Sequence, residues 1–411
     1  MMAPLIPVLR DFGMTAETGF LPAEVPPATL LNPYYEKWET ILANLPAIIG
    51  DHRIRVVVDE LPVLSTAHLR TCAEWRRAYV LLAFMSHAYI WGGTIPSERI
   101  PRQLAVPLLE VCEYLEVPPV ATYSALCLWN FQPTTPAEST DHLEEMTTLV
   151  TFTGTADEKW FYLISVAIER AGAPVIPLML EAIVAHYAGD LSTVATALHT
   201  FTKILDRITA ILLRMYERCR PYVFYNHIRR FIAGSKNMAG AGLPNGVIYD
   251  IGLGSEEYRQ YGGGSNAQSS LFHFFDIVLG VEHHPTDTTR PRDNFVHEMR
   301  SYMPGPHHRF LEDVSKIANI HEFLTSCRSD GRLSAPYSAC VSALANLRNK
   351  HIHLVTRYIV IQSHKSRTLL GAERLLTSQT TSGTIIRSIS PNNNPENEGL
   401  HGTAGSSMMP F

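Results

Sequence analysis

Residues 334–362, SAPYSACVSALANLRNKHIHLVTRYIVIQ, constrain what the rest of this chain can be. Ser334 is a natural N-cap and Pro336 suits a first helical turn, where a missing N–H costs nothing, so the stretch predicts one long helix. Its apolar residues Cys340, Leu344, Leu347, Leu354 and Tyr358 trace a buried seam with a single gap, and His351 fills that gap. On the residues alone His351 is either a core histidine bonded to a backbone carbonyl, which is the commoner case, or an axial ligand to a metal or haem. His353 turns to the opposite face of a helix, which argues against chelation by the pair. Arg348 lies one turn before His351 on the same face. It can pair with an anionic group of whatever His351 holds, such as a haem propionate, or with a carboxylate elsewhere in the fold.

A chain of 411 residues has room for two or three domains and a large core. Charged residues make up 18% of it, against about 25% in typical soluble domains, so much of the helical surface must face other helices. The 34 basic and 39 acidic residues give a net charge of −5 with no basic block, which excludes the footprint of a nucleic-acid or membrane-surface binder. Cys72, Cys112, Cys127, Cys219, Cys327 and Cys340 are scattered without a CxxC pair, the pattern of reduced, buried, intracellular thiols. The N-terminus lacks a basic region followed by an apolar core, and no uninterrupted run of uncharged apolar residues is long enough for a bilayer. A soluble, cytoplasmic protein is expected.

Taken in order, residues 1–33 are Pro-rich and aperiodic, an irregular arm lying over the body. Helical spacing runs over 32–47 and 65–91, the second ending where Gly92 and Gly93 can take the left-handed cap conformation. A further helix covers 101–116, stopped by Pro118 and Pro119. The turn chemistry of PTTPAEST follows the apolar stretch 120–131. Beyond it come helices over 158–170 and 174–186, then one over 191–219 of about eight turns, capped by Asp190. Helical spacing continues over 222–233, a Gly-rich segment spans 240–264, and the helices over 295–302 and 306–318 precede the opening stretch. No strand alternation of convincing length occurs, so the fold class is all-α. Two helical domains are expected: residues 1–145, small and carrying the arm, and residues 146–411, a large bundle. Residues 364–398 lose the period and are expected to form a mobile loop.

Several stretches together resemble the indoleamine 2,3-dioxygenase family, over most of the chain. They are HAYIWG (87–92), PRQLAVP (101–107), LEVPPVATY (115–123), FYLIS (161–165), FYNHIRRFIAG (224–234), GGGSNAQSSLFHFFDIVLG (262–280), MRSYMPGPHHRFL (299–311), LRNKHIHLVTRYI (347–359) and HGTAGSS (401–407). Their order and spacing carry the resemblance.

The resemblance implies a monomeric haem b enzyme, active as Fe2+, that opens the indole ring of L-tryptophan with O2 to give N-formyl-L-kynurenine, the first step of the kynurenine route towards NAD. His351 becomes the proximal iron ligand, supported by Arg348 and Asp276. Read alone, Asp276 is an acid inside an apolar helix, so an ion pair is also the physical expectation. The substrate-binding residues that match the family are Tyr123, Phe161, Ser165, Phe224, Arg229, Ser265 and Thr403. The aromatics hold the indole, the Arg229 fork suits a planar carboxylate, and Thr403 closes over the substrate. Arg230, beside it, is expected to be a surface charge. No acid–base side chain is assigned, and an electron donor must return ferric haem to ferrous. Asn266 and Ala267 stand where the family usually has small residues. They place substrate fit in question and favour the alternative reading, a haem-binding regulator or sensor of the same fold with little dioxygenase activity.

Overall fold

The computed structural model describes residues 4–135, 143–252, 254, 257–281, 295–318 and 331–365. Thr403 and all but the first two residues of the loop expected over 364–398 lie outside them.

The described chain is all-α apart from five very short strands. The helix expected over 32–47 is divided into α1 (Glu36–Ala43) and α2 (Leu45–Gly50), followed by α3 (Ile54–Asp59), because Pro46 starts a new first turn. Next, α4 (Cys72–Trp91) starts later than the spacing implied. Its start is set by a capping box: Thr71 Oγ1 accepts from Glu74 N at 3.2 Å, and Glu74 accepts from Thr71 N at 2.9 Å. Gly92 follows it with φ −77°, not left-handed as expected. What it supplies is room, since a Cβ there would lie 2.5 Å from the carbonyl oxygen of Ala88.

After α5 (Arg102–Leu115) come α6 (Ala156–Gly172), α7 (Val175–Tyr187) and α8 (Leu191–Leu213). Asp190 caps α8 as expected, accepting from Ser192 N and Thr193 N at 3.1 Å each. The helix expected to reach residue 219 stops at Leu213, and the chain continues through α9 (Met215–Arg218), α10 (Pro221–Val223) and α11 (Arg229–Ile232). Then come α12 (Ser270–Leu279), α13 (Phe295–Arg300), α14 (Gly305–Ile317) and α15 (Gly331–Val355). Helix α15 is already formed at Gly331, so Ser334 is not its N-cap and Pro336 sits inside it. The missing Pro N–H there leaves the carbonyl four residues earlier without its usual partner. The strands β1 (Arg99–Ile100), β2 (Gln132–Pro133), β3 (Met146–Thr147), β4 (Val247–Tyr249) and β5 (Tyr258–Arg259) form a sheet ordered β1-β4-β5 and a β2-β3 pair.

Helices α6, α7 and α15 pack against α8, whose stripe Val194, Leu198, Phe201, Leu205, Ile208 and Leu212 is buried. The seam of α15 is buried as its spacing required, at Cys340, Leu344, Leu347, Leu354 and, just beyond, Tyr358. One contiguous hydrophobic core runs from Met14 in the arm to Ile359. The stretch Ala156–Tyr187, α6 and α7 together, is long and apolar enough to cross a membrane by length and composition, and 72% of its apolar window is buried against the rest of the fold.

Candidate functional site

His351 is only part-buried by surface, yet the protein around it is dense enough to push its pKa down to about 4. Burial keeps it neutral at ordinary pH, the form in which an imidazole ligates a metal. One turn earlier on α15, Arg348 donates to Asp276 of α12, and both side chains are mostly buried. Arg300 adds a second positive field at Asp276. Among the described residues no group of three or more His, Cys, Asp or Glu side chains gathers where it could hold a bare ion. One imidazole with a cation a turn away is the donor set of a group that brings its own equatorial ligands, so the residues fit a haem.

Helix α6 presents Phe161, Ser165 and Glu169 at four-residue steps, one face of a helix. Thr155 starts that helix by accepting from Glu158 N at 3.3 Å. Phe161 meets Phe224 with ring centroids 4.8 Å apart, and Phe224 meets Tyr358 edge-on at 5.8 Å. Tyr358 thereby joins this aromatic shelf to the element that carries His351, and its hydroxyl is anchored on the carbonyl of Cys219 at 2.5 Å.

Ser165 is buried, bonds Cys127, and donates to Asn266 Oδ1 at the long distance of 3.5 Å. Asn266 opens a short 3-10 turn through Gln268 that Ser265 caps, its hydroxyl accepting from Ala267 N at 3.3 Å. The glycines ahead of it are required for close approach: a Cβ on Gly263 would fall 2.1 Å from the carbonyl oxygen of Ile232. Tyr123 is buried against the same wall. Its N–H donates to Gln268 Oε1 at 2.9 Å and its hydroxyl to Glu169 Oε1 at 3.0 Å.

Arg229 is placed differently from the other matched residues. It lines a cavity of about 320 Å³ with Trp91, Thr94, Pro96, Tyr225 and Arg230. Its guanidinium lies 5.3 Å from the Tyr225 ring centre, and its buried Nε has no hydrogen-bond partner among the described residues. Burial lowers its pKa from the usual arginine range. A cation so placed is set up for an anion. Arg230 is exposed but is no free surface charge, since it donates to the carbonyls of Trp91 at 2.5 Å and Gly93 at 3.2 Å.

Sequence reasoning missed Glu169, Gln268, Ser269 and Tyr358. An acid in the apolar run SVAIER, one turn beyond Ser165, was the available signal for Glu169. It also missed three π turns, Ser124–Leu128, Phe224–Ile228 and Thr356–Val360, each beside a residue of the site. Such turns often mark functional sites.

Residues 8–411 match the family model described as indoleamine 2,3-dioxygenase. The chain belongs to the indoleamine 2,3-dioxygenase family. It is 42% identical to a 6-hydroxytryptophan 2,3-dioxygenase of Fusarium equiseti, covering 89% of each chain. Against the indoleamine 2,3-dioxygenase of Saccharomyces cerevisiae it is 38% identical over all of this chain and 92% of the other. Human indoleamine 2,3-dioxygenase 2 is 32% identical over 92% of each. Membership in the indoleamine 2,3-dioxygenase family makes the chain an oxidoreductase acting on an indole substrate with O2. The names of these relatives differ on whether the ring is hydroxylated.

Proposed function

We propose that this protein opens the indole ring of L-tryptophan with O2 to give N-formyl-L-kynurenine, the first step of the kynurenine route towards NAD, on a haem b held by His351. The observation that supports it is the aromatic chain Phe161–Phe224–Tyr358, which ends on the segment directly after His351, an imidazole that burial keeps neutral. When bound, the haem supplies the activation of O2. His351 holds the iron. Arg348, oriented by Asp276, is the cation available to a propionate. Phe161 and Phe224 take the flat faces of the indole and keep water from it, while Tyr123 and Ser165 close the wall behind. Arg229 receives the substrate carboxylate, its buried Nε–H having no acceptor among the described residues. No side chain is assigned as acid or base, because an indole is electron-rich enough to react without one. The enzyme works as a cytoplasmic monomer that draws on an electron donor to keep the iron ferrous.

A second reading concerns the ring itself. Ser165 and Asn266 put two polar groups beside the shelf, which favours an indole carrying a hydroxyl, as in the substrate named for the Fusarium relative. The test is turnover by reduced, haem-loaded protein of L-tryptophan and of 6-hydroxytryptophan in air, followed by the absorbance of the N-formyl product. Product from tryptophan, loss of haem in His351→Ala and a raised KM in Arg229→Ala are expected. Product from the hydroxylated substrate alone moves the assignment to the second reading. Haem bound through His351 with no product from either substrate leaves a haem-dependent regulator.

A further inference from the structure

We infer that Glu169 is a positioning residue of the substrate wall, a buried carboxyl that locks Tyr123 to the 265–269 turn and so sets how tightly the indole is held. The inference rests on the indole-dioxygenase reading and assigns Glu169 no contact with substrate. Three segments that are distant in sequence build this wall: the chain at Tyr123, helix α6 and the turn carrying Asn266. They meet at Glu169 Oε1, which accepts the Tyr123 hydroxyl at 3.0 Å and the Ser269 hydroxyl at 2.6 Å. Gln268 adds a second tie, accepting from Tyr123 N at 2.9 Å and donating to the carbonyl of Gly263 at 2.8 Å. Glu169 is 1% exposed, and its Oε2 is buried with no partner among the described residues.

That asymmetry selects a protonation state. An ionised carboxylate would leave Oε2 as a bare buried charge, whereas the neutral acid uses Oε1 as a carbonyl with two lone pairs for two hydroxyl donors and carries its proton on Oε2. Burial accordingly lifts the Glu169 pKa to about 7. The other titratable groups facing it, Tyr123 and Cys127, are both held above their ordinary values by the same burial, so neither changes charge near neutrality. Ionisation strengthens the two hydroxyl bonds but leaves an uncompensated buried charge at Oε2 that draws water into the wall, so the wall opens as Glu169 ionises.

Glutamine reproduces the neutral acid, with a carbonyl for both hydroxyls, and leucine removes the acceptor. Half-saturation by L-tryptophan and by 6-hydroxytryptophan is read from the substrate-induced shift of the haem Soret band, with KM and kcat beside it, between pH 6 and 8.5. Wild type is expected to bind less tightly as pH rises through about 7. Glu169→Gln should match the low-pH wild type and lose that pH dependence. Glu169→Leu should weaken binding about tenfold at every pH, with kcat and the substrate-free haem spectrum within a factor of two or three. Should the leucine variant not fold, Ser269→Ala removes one of the two hydroxyls from Glu169 and carries the same test. A leucine or Ser269→Ala variant with wild-type half-saturation, or a glutamine variant that keeps the pH dependence, overturns the role of Glu169 alone. A wild type that shows no shift with either indole overturns both this inference and the reading beneath it.

Discussion

His87 shows how little freedom one buried ring has. Its Nδ1 lies 2.7 Å from the carbonyl oxygen of Phe231, and its Nε2 lies 2.9 Å from Ala121 N, a donor. Only the neutral tautomer with its proton on Nδ1 satisfies both, and burial pushes the pKa down to about 4. The unfolded chain takes up this proton near the ordinary histidine value, about 6.5, while the folded chain resists until about 4. The stability tied to His87 is thus fully present above about pH 6.5 and is lost as pH falls through 4, a difference of about 3 kcal/mol. Glu169 has the opposite sign. Its raised pKa means stability declines as pH climbs from about 4.5 to 7. From these two groups the melting temperature should be flat between about pH 4.5 and 6.5, where their slopes cancel, and fall on either side. Glu169→Gln should flatten the alkaline side of that curve and His87→Gln the acid side, at a cost in overall stability. Scanning calorimetry from pH 4 to 8 reads both, and an unchanged acid limb in His87→Gln refutes the first assignment. A third residue-level expectation concerns Arg348. Arg348→Ala removes the guanidinium that Asp276 orients, and haem should transfer from the variant to apomyoglobin several-fold faster than from wild type.

Among the elements, α6 carries three residues of the distal wall, and its start is secured by Glu158. That carboxylate is fully buried. Oε1 accepts from Phe152 N at 2.8 Å and the Tyr162 hydroxyl at 2.9 Å, and Oε2 from Thr153 N at 2.7 Å and the Thr153 hydroxyl at 2.6 Å. Glu158→Gln would point an amide N–H at two donors, and we expect a loss of about 2–3 kcal/mol in urea unfolding. A loss under half a kcal/mol would contradict this account of the helix start. Elements of this kind also explain what was legible in the sequence. The period of α8 and the seam of α15 could be read directly, because one apolar face must point inward whatever the partner is. An ion pair at Asp276 followed from the cost of burying an acid alone, and the family resemblance set Arg348 beside it. Helix ends were less legible. Helix α4 begins at Cys72, capped by Thr71, and not at residue 65, and Ser334 has the chemistry of a cap but lies within α15. The π turns were invisible because one extra residue per turn leaves no periodic mark. The placement of Arg229 was invisible as well, since it depends on Trp91 from a distant helix end. The cluster at Glu169 joins three segments by hydrogen bonds that no local pattern encodes.

At the scale of the molecule, the halves on either side of residue 145 are tied at several independent points. His87 bonds the carbonyl of Phe231, Trp91 Nε1 donates to that of Ala233 at 3.0 Å, and Arg230 returns a bond to Trp91. The N-terminal arm adds a tie that its composition does not announce. It is seated in the body rather than laid over it: a Cβ on Gly19 would fall 2.9 Å from that of Ala173, at the joint of α6 and α7. Phe20 is 2% exposed and packs edge-on against His307 at 5.0 Å and Phe310 at 5.8 Å, both on α14, while Phe12 meets Phe310 at 5.5 Å. With ties at both the joint and the arm, the described body should unfold as one unit, giving the same midpoint by tryptophan fluorescence and by circular dichroism. Phe20→Ala removes the ring that reaches α14 and leaves a cavity beneath Gly19. It should cost about 3–5 kcal/mol, and the two probes should still coincide, at a lower midpoint. If the arm were only a cover, the substitution would cost less than about 1 kcal/mol. If the halves were independent, one probe would move and the other would stay. Each of these outcomes is visible in a single denaturant titration.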